Sequence, residues 1–161
     1  MTEGKTRFEL QKIYREFKDN LARRAVSWKW LLSFVRLEGN TLENLTTQEV
    51  VNEIIIPRTK HSMNRYINKL SPSVVNFPTY FVSHVWSALF LDLIASLSHE
   101  IKLKESDEES RNVFVWIDIF AINQQKIDGQ KFDLATLPRA IVEATKGTLV
   151  CVDNKGQLFN R

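Results

Sequence analysis

Apolar and polar residues follow two different rhythms along this chain, and the change falls near residue 76. Before it the spacing is helical. Leu10, Ile13, Tyr14, Phe17 and Leu21 form one stripe of a 3.6-residue period and predict an amphipathic helix over 7–22. The stretch "SWKWLLSFVRL" (27–37) predicts a second helix with Ser27 as its cap, stopped by Gly39 and Asn40. Thr46 and Glu49 fit a capping box that opens "TTQEVVNEIII". Pro57 bounds that helix, because the residue before a proline is pushed from helical geometry. A further helical stretch is expected over 59–70, with Met63, Tyr66, Ile67 and Leu70 inward. "SPSVVNFP" (71–78), with two prolines, is the clearest boundary in the chain.

Beyond it, short apolar runs alternate with helical ones. "TYFVSH" (79–84) predicts a buried strand, and Leu89, Leu93, Leu97 and Ile101 place a helix over 88–103. "KESDEESRN" (104–112) reads as a charged surface loop. "VFVWIDIF" (113–120) is apolar on both faces, as a parallel strand covered by helices must be. After a loop over 123–133, a helix is expected from Leu137 to Lys146, with Pro138 in its first turn and Gly147 past its end, and "TLVCV" (148–152) as a third strand. The order β-α-β-α-β winds into a parallel sheet. The predicted architecture is α/β: a helical N-terminal segment over 1–75, then a partial, flavodoxin-like three-stranded parallel sheet over 76–161. With three strands in the order 2-1-3, "TLVCV" becomes an apolar edge, a template for another chain. The unit reads as incomplete, truncated after its third strand.

Composition changes this picture little. The chain has 161 residues, 43% hydrophobic and 25% charged, ordinary for a globular domain. No apolar run approaches the roughly 20 residues of a membrane span, and the charged start "MTEGKTRFELQK" does not resemble a secretory leader. One cysteine, Cys151, supports no disulfide framework. A cytoplasmic location is the expectation. Residues 1–75 carry 13 Lys or Arg against 8 Asp or Glu, and residues 76–161 carry 9 against 11. The basic half suits an acidic partner for the N-terminal helices. Its charges are interleaved with acids rather than clustered, which reads as a solvated surface and does not point to nucleic acid.

Candidate chemistry sits where the strands end. In open parallel sheets, ligands collect beyond the carboxyl ends of strands where the strand order reverses. The three exits carry Ser83, His84 and Trp86; Asp118 and Asn123; and Asp153 with Asn154. These are the candidate ligand-binding residues, and the helix from about Ala88 would offer its positive N-terminus to an anion such as a phosphate. Polar exits are also what ordinary loops provide. Asp118 in an apolar strand needs either a structural hydrogen bond or a place in the site, and Trp86 and Trp116 also suit the core. Glycine-rich and P-loop nucleotide motifs are absent. His61, His84 and His99 lack metal-ligand spacing, so no metal site is expected. Ser83 and His84 are neighbours whose side chains diverge on a strand, which excludes a nucleophile–base pair between them.

"YFVSHVW" followed by a helix, "VFVWIDIFAINQ" and "LPRAIVEATKGTLVCVD" together resemble the opening half of the Toll/interleukin receptor (TIR) superfamily. "WIDIFAINQ" is also similar to the core of fungal heterokaryon-incompatibility (HET) domains. The resemblance covers roughly residues 46–161. It implies a TIR-like fold and a signalling module, tied to cell death or innate defence, that assembles with like domains. It also implies NAD as a ligand or substrate, with Ser83, His84, Trp86, Asp118, Asn123 and Asp153 as nucleotide-binding residues. Enzymes of the family cleave the nicotinamide–ribose bond. A carboxylate stabilises the positive transition state there, and in the family it is a glutamate on the helix after the third strand. That helix would begin at "DNKGQLFNR", so no residue takes the catalytic role, and Glu143 belongs to the preceding helix. The expectation is a non-catalytic self-association module; the alternative is an NAD glycohydrolase in a longer form carrying that glutamate.

Overall fold

The computed structural model describes residues 23–125 and 137–152. The helix expected over 7–22, most of the loop over 123–133, and Asp153 with Asn154 lie outside the described residues.

Three strands form the parallel centre of the sheet: β3 (Tyr80–Ser83), β4 (Phe114–Trp116) and β5 (Thr148–Val150). β3 pairs in parallel with both others, Tyr80 opposite Val115 and Val82 opposite Leu149. The 2-1-3 order expected from the pattern is therefore present. Among the described residues the sheet is nevertheless five-stranded and mixed, in the order β2 (Val75–Asn76), β1 (Ala25–Ser27), β4, β3, β5. β1 runs antiparallel to β4, and β2 runs antiparallel to β1. This corrects two expectations, the three-stranded parallel sheet and the purely helical N-terminal segment. Strands of three and two residues are too short to show a period. They form because the β4 edge would otherwise leave its amides and carbonyls unpaired.

Alternate residues of the centre face two apolar clusters. Tyr80, Val82, Val115 and Leu149 join the larger one, whereas Phe81 and Trp116 join the smaller with Ala25 and Ala140. Helix α4 (Phe90–Lys104), which links β3 to β4, sends Phe90, Leu93, Leu97 and Ile101 into the larger cluster. Helix α6 (Leu137–Val142), between β4 and β5, sets Ala140 against the smaller. The chain leaves β3 in one direction for β4 and crosses back for β5. Helices on opposite faces follow, because both crossovers take the right-handed path.

The N-terminal segment builds much of the larger cluster. α1 (Trp28–Glu38) is capped as expected, Ser27 accepting the Trp30 amide at 3.0 Å. Gly39 ends it at φ +51°, a conformation that favours glycine. α2 (Thr47–Val50) opens on the expected capping box, with reciprocal bonds between Thr46 and Glu49. Pro57, however, does not stop the helix. A π-helical segment (Val51–Ile55) leads into α3 (Ile56–Thr59), with Pro57 in its first turn. The wider turn accommodates a ring that an unbroken α-helix excludes. Residues 59–70 are likewise not one helix: Met63 sits at φ +48°, and only Tyr66–Lys69 forms a short 3-10 turn. Tyr66 and Ile67 still point inward as expected. Trp30, Phe34, Tyr66 and Phe120 pack together with centroids 5.3–6.2 Å apart, three of their pairs edge to face and three tilted.

A buried carboxylate ties the amino end of the sheet. Glu105, in the stretch read as a surface loop, has a side chain only 1% exposed. It accepts the Tyr80 hydroxyl at 2.5 Å and the Lys146 ammonium at 2.6 Å. Those bonds hold its carboxyl below the ordinary range, the Lys146 bond most of all, and desolvation with Glu105 alongside pushes the Tyr80 hydroxyl up. Among the described residues no helix is long and apolar enough to cross a membrane.

Candidate functional site

The polar corner after β3 is pinned by the N-terminal segment. The Thr47 and Gln48 amides, in the first turn of α2, donate to the carbonyls of Ala88 and Trp86, each at 3.0 Å. Helix N-termini leave such amides without intrahelical partners, and here the corner supplies acceptors. The Phe90 amide donates to the Leu45 carbonyl at 2.9 Å. α4 therefore begins at Phe90 rather than near Ala88. Its first amide is engaged, and Asp92 occupies its first turn. Neither feature suits the phosphate expected at this helix end.

The corner also brings three candidate residues together. The Trp86 indole N–H donates to Asp118 Oδ2 at 2.9 Å. Asp118 Oδ1 lies 3.6 Å from His84 Nε2, with the imidazole 3% exposed and the carboxylate 27%. Asp118 gets there because β4 stops at Trp116. Residues 118–121 form a short helix, α5 (Asp118–Ala121), not the end of a strand as the apolar run implied. Ile117, Ile119, Phe120 and Ala121 are all buried, and a run buried all round carries no period to separate helix from strand. The arrangement sets a carboxylate beside an imidazole and fixes it with an indole. It can orient the ring and balance its charge when protonated.

Ser83 closes β3, and its carbonyl accepts the Cys151 amide at 2.8 Å, which sets the register of β5. Asn123 faces elsewhere. Its Nδ2 donates to the Met63 carbonyl at 3.0 Å, and its Oδ1 accepts the Gln125 amide at 3.0 Å. Gln125, which the sequence did not mark out, completes this clasp, its Nε2 donating to the Ile56 carbonyl and to Thr59 Oγ1, both at 2.8 Å. Gln124 Nε2 donates instead to the Asp118 and Ile122 carbonyls at 3.1 and 3.3 Å. The segment thus binds the turn around Pro57 and does not join His84. Asp153 lies outside the described residues.

A cavity of about 250 Å³ opens between the exits of β3 and β5, with His84, Val85 and Ala88 on one side, Cys151 on the other, and Asp92 and Ser96 of α4 along its wall. Its place is the switch point of the 2-1-3 order. Asp92 and Ser96, one turn apart on α4, were not marked out in the sequence, where only the apolar repeat of the same helix was read. Burial, with a contribution from the Glu100 carboxylate, pushes the Cys151 thiol up to about 11, so it is not an activated nucleophile. Among the described residues no group of three or more His, Cys, Asp or Glu side chains is placed to hold a metal ion. Comparison of the chain with protein-family models, curated proteins and solved structures finds no match.

Proposed function

We propose that this chain is a TIR/HET-like signalling module of the cytoplasm that works by assembling with its own kind and performs no chemistry within these residues. The observation that carries the reading is the edge of β5. Among the described residues β5 pairs on one side only. Cys151 donates to Ser83, and Gly147 accepts from Phe81. By the alternation of a parallel ladder, the amides of Thr148, Val150 and Val152 then face away from the sheet. Val150 and Val152 are 54% and 48% exposed. An apolar edge with outward amides is a ready template for a strand of another copy, and two-fold pairing of β5 with β5 satisfies both. The three parallel strands, and "YFVSHVW" at the end of the first, support the TIR-like part of the reading.

Light scattering over a concentration series tests this proposal. A mass that rises toward a dimer is expected, and a monomer throughout, up to high micromolar concentration, contradicts it. Incubation with NAD tests the alternative, an NAD glycohydrolase whose glutamate lies outside this sequence. No nicotinamide should be released by the present chain, and measurable turnover removes the non-catalytic assignment.

A further inference from the structure

The cavity at the exits of β3 and β5 has a one-sided charge. Among the described residues no lysine or arginine lines it. Asp92 stands on its wall, and Asp118 lies behind His84 at 3.6 Å. A neighbouring depression shares Ala95, Ser96, Cys151 and Val152 with it and ends at His99 and Glu100, so the trough between α4 and β5 carries acid at both ends. At the start of α4 the Phe90 amide is engaged by the Leu45 carbonyl and Asp92 occupies the first turn. Among the described residues, an anion entering here meets carboxylates and no lysine or arginine. A cation gains the Asp92 carboxylate on a wall where Val85, Ala88 and Leu93 are apolar neighbours and His84 and Ser96 polar ones.

Size narrows the ligand further. The volume of about 250 Å³ falls below the roughly 300–1,000 Å³ of sites that enclose drug-sized molecules. The part beside Asp92 has room for one ring or a short chain. We propose that this cavity binds a small organic cation, a primary ammonium on a single apolar ring or short chain, with Asp92 taking the ammonium and Val85, Leu93 and Cys151 flanking the apolar body. The cavity shares Val152 with the β5 edge, so binding is read at a concentration where light scattering shows a monomer, and failure to bind is then distinct from failure to pair.

Benzylammonium is the probe, with benzoate and inorganic phosphate as anionic counterparts, in calorimetric titrations of the full chain. Benzylammonium should bind and raise the melting temperature, while benzoate and phosphate should do neither at about 10 mM. Asp92 is exposed, so Asp92→Asn keeps the fold, and it should weaken binding roughly tenfold, as loss of a charge-assisted hydrogen bond does. Ser96→Trp fills the cavity and should abolish binding. No response to benzylammonium overturns the proposal, as does equal binding of benzoate or phosphate. Unchanged affinity in Asp92→Asn overturns it even if Ser96→Trp does not fold.

Discussion

Replacing Phe120 with alanine removes a ring that is fully buried where the N-terminal segment meets the sheet. The ring stands edge-on to Trp30 at 5.3 Å and to Phe34 at 5.5 Å, and tilted against Tyr66 at 5.6 Å. Deleting a buried phenylalanine costs about 3–5 kcal/mol in lost transfer energy and cavity formation. Each aromatic pair adds about 0.5–1.5 kcal/mol beyond area, so three partners place Phe120→Ala near the upper end, at about 4–5 kcal/mol. In a chain of this size a loss of about 4 kcal/mol lowers the melting temperature by roughly 8–16 °C. Leu37→Ala is the matched control: that side chain is 86% exposed, and its removal should stay within about 0.5 kcal/mol. Urea unfolding followed by tryptophan fluorescence and by far-ultraviolet circular dichroism makes the measurement. Both signals should move together, because one core serves helices and sheet. A loss below about 2 kcal/mol, well short of the usual Phe→Ala range, refutes the packing argument. A fluorescence transition that separates from the dichroism transition refutes the single core.

The remaining predictions concern buried polar groups and the lone thiol. Glu105 has its folded-state pKa held down, chiefly by Lys146 and then by Tyr80. Its contribution is therefore present above the ordinary carboxylate range and lost as pH falls through the lowered value. The stability gap between wild type and Glu105→Gln should narrow between about pH 6 and pH 3, and a constant gap speaks against the triad. Thr47 is fully buried and its hydroxyl has no hydrogen-bond partner among the described residues. Thr47→Val should therefore stabilise by roughly 1 kcal/mol, read as a higher urea midpoint; a lower midpoint would reveal a partner for the hydroxyl. Cys151 is the single cysteine, with its thiol pushed from about 9 to about 11. A disulfide reagent near neutral pH should modify the native protein about two orders of magnitude more slowly than the urea-unfolded chain, and equal rates would place the thiol at the surface.

Much of this fold was legible because local signals agreed with the final packing. Ser27 and the Thr46–Glu49 pair each cap the helix their chemistry announces. The runs at 79–84, 113–120 and 148–152 all contain strands, because apolar stretches with no polar face need cover on both sides. What stayed hidden depends on contacts far apart in sequence. β1 exists because β4 offers it hydrogen bonds from about 90 residues away, and nothing in "AVS" advertises a strand. Pro57 reads as a stop by every local rule, yet a π-helical turn and the Gln125 amide on the Ile56 carbonyl carry the chain past it. Of the candidate residues, His84, Trp86 and Asp118 do meet, whereas Asn123 turns toward Met63. Polar residues after strands all look alike in sequence. Only the direction of each exit separates a cavity wall from a clasp.

The account rests most heavily on the edge of β5, unpaired among the described residues. Proline at position 150 tests it with little damage to the sheet, because the amide it deletes points outward and leaves the bonds to β3 in place. Sedimentation equilibrium of wild type and Val150→Pro across the same concentrations is the direct measurement. The wild type should dimerise reversibly while Val150→Pro, with its melting temperature retained, stays monomeric. A wild type that remains monomeric, or a folded Val150→Pro that dimerises just as tightly, would contradict assembly through this strand.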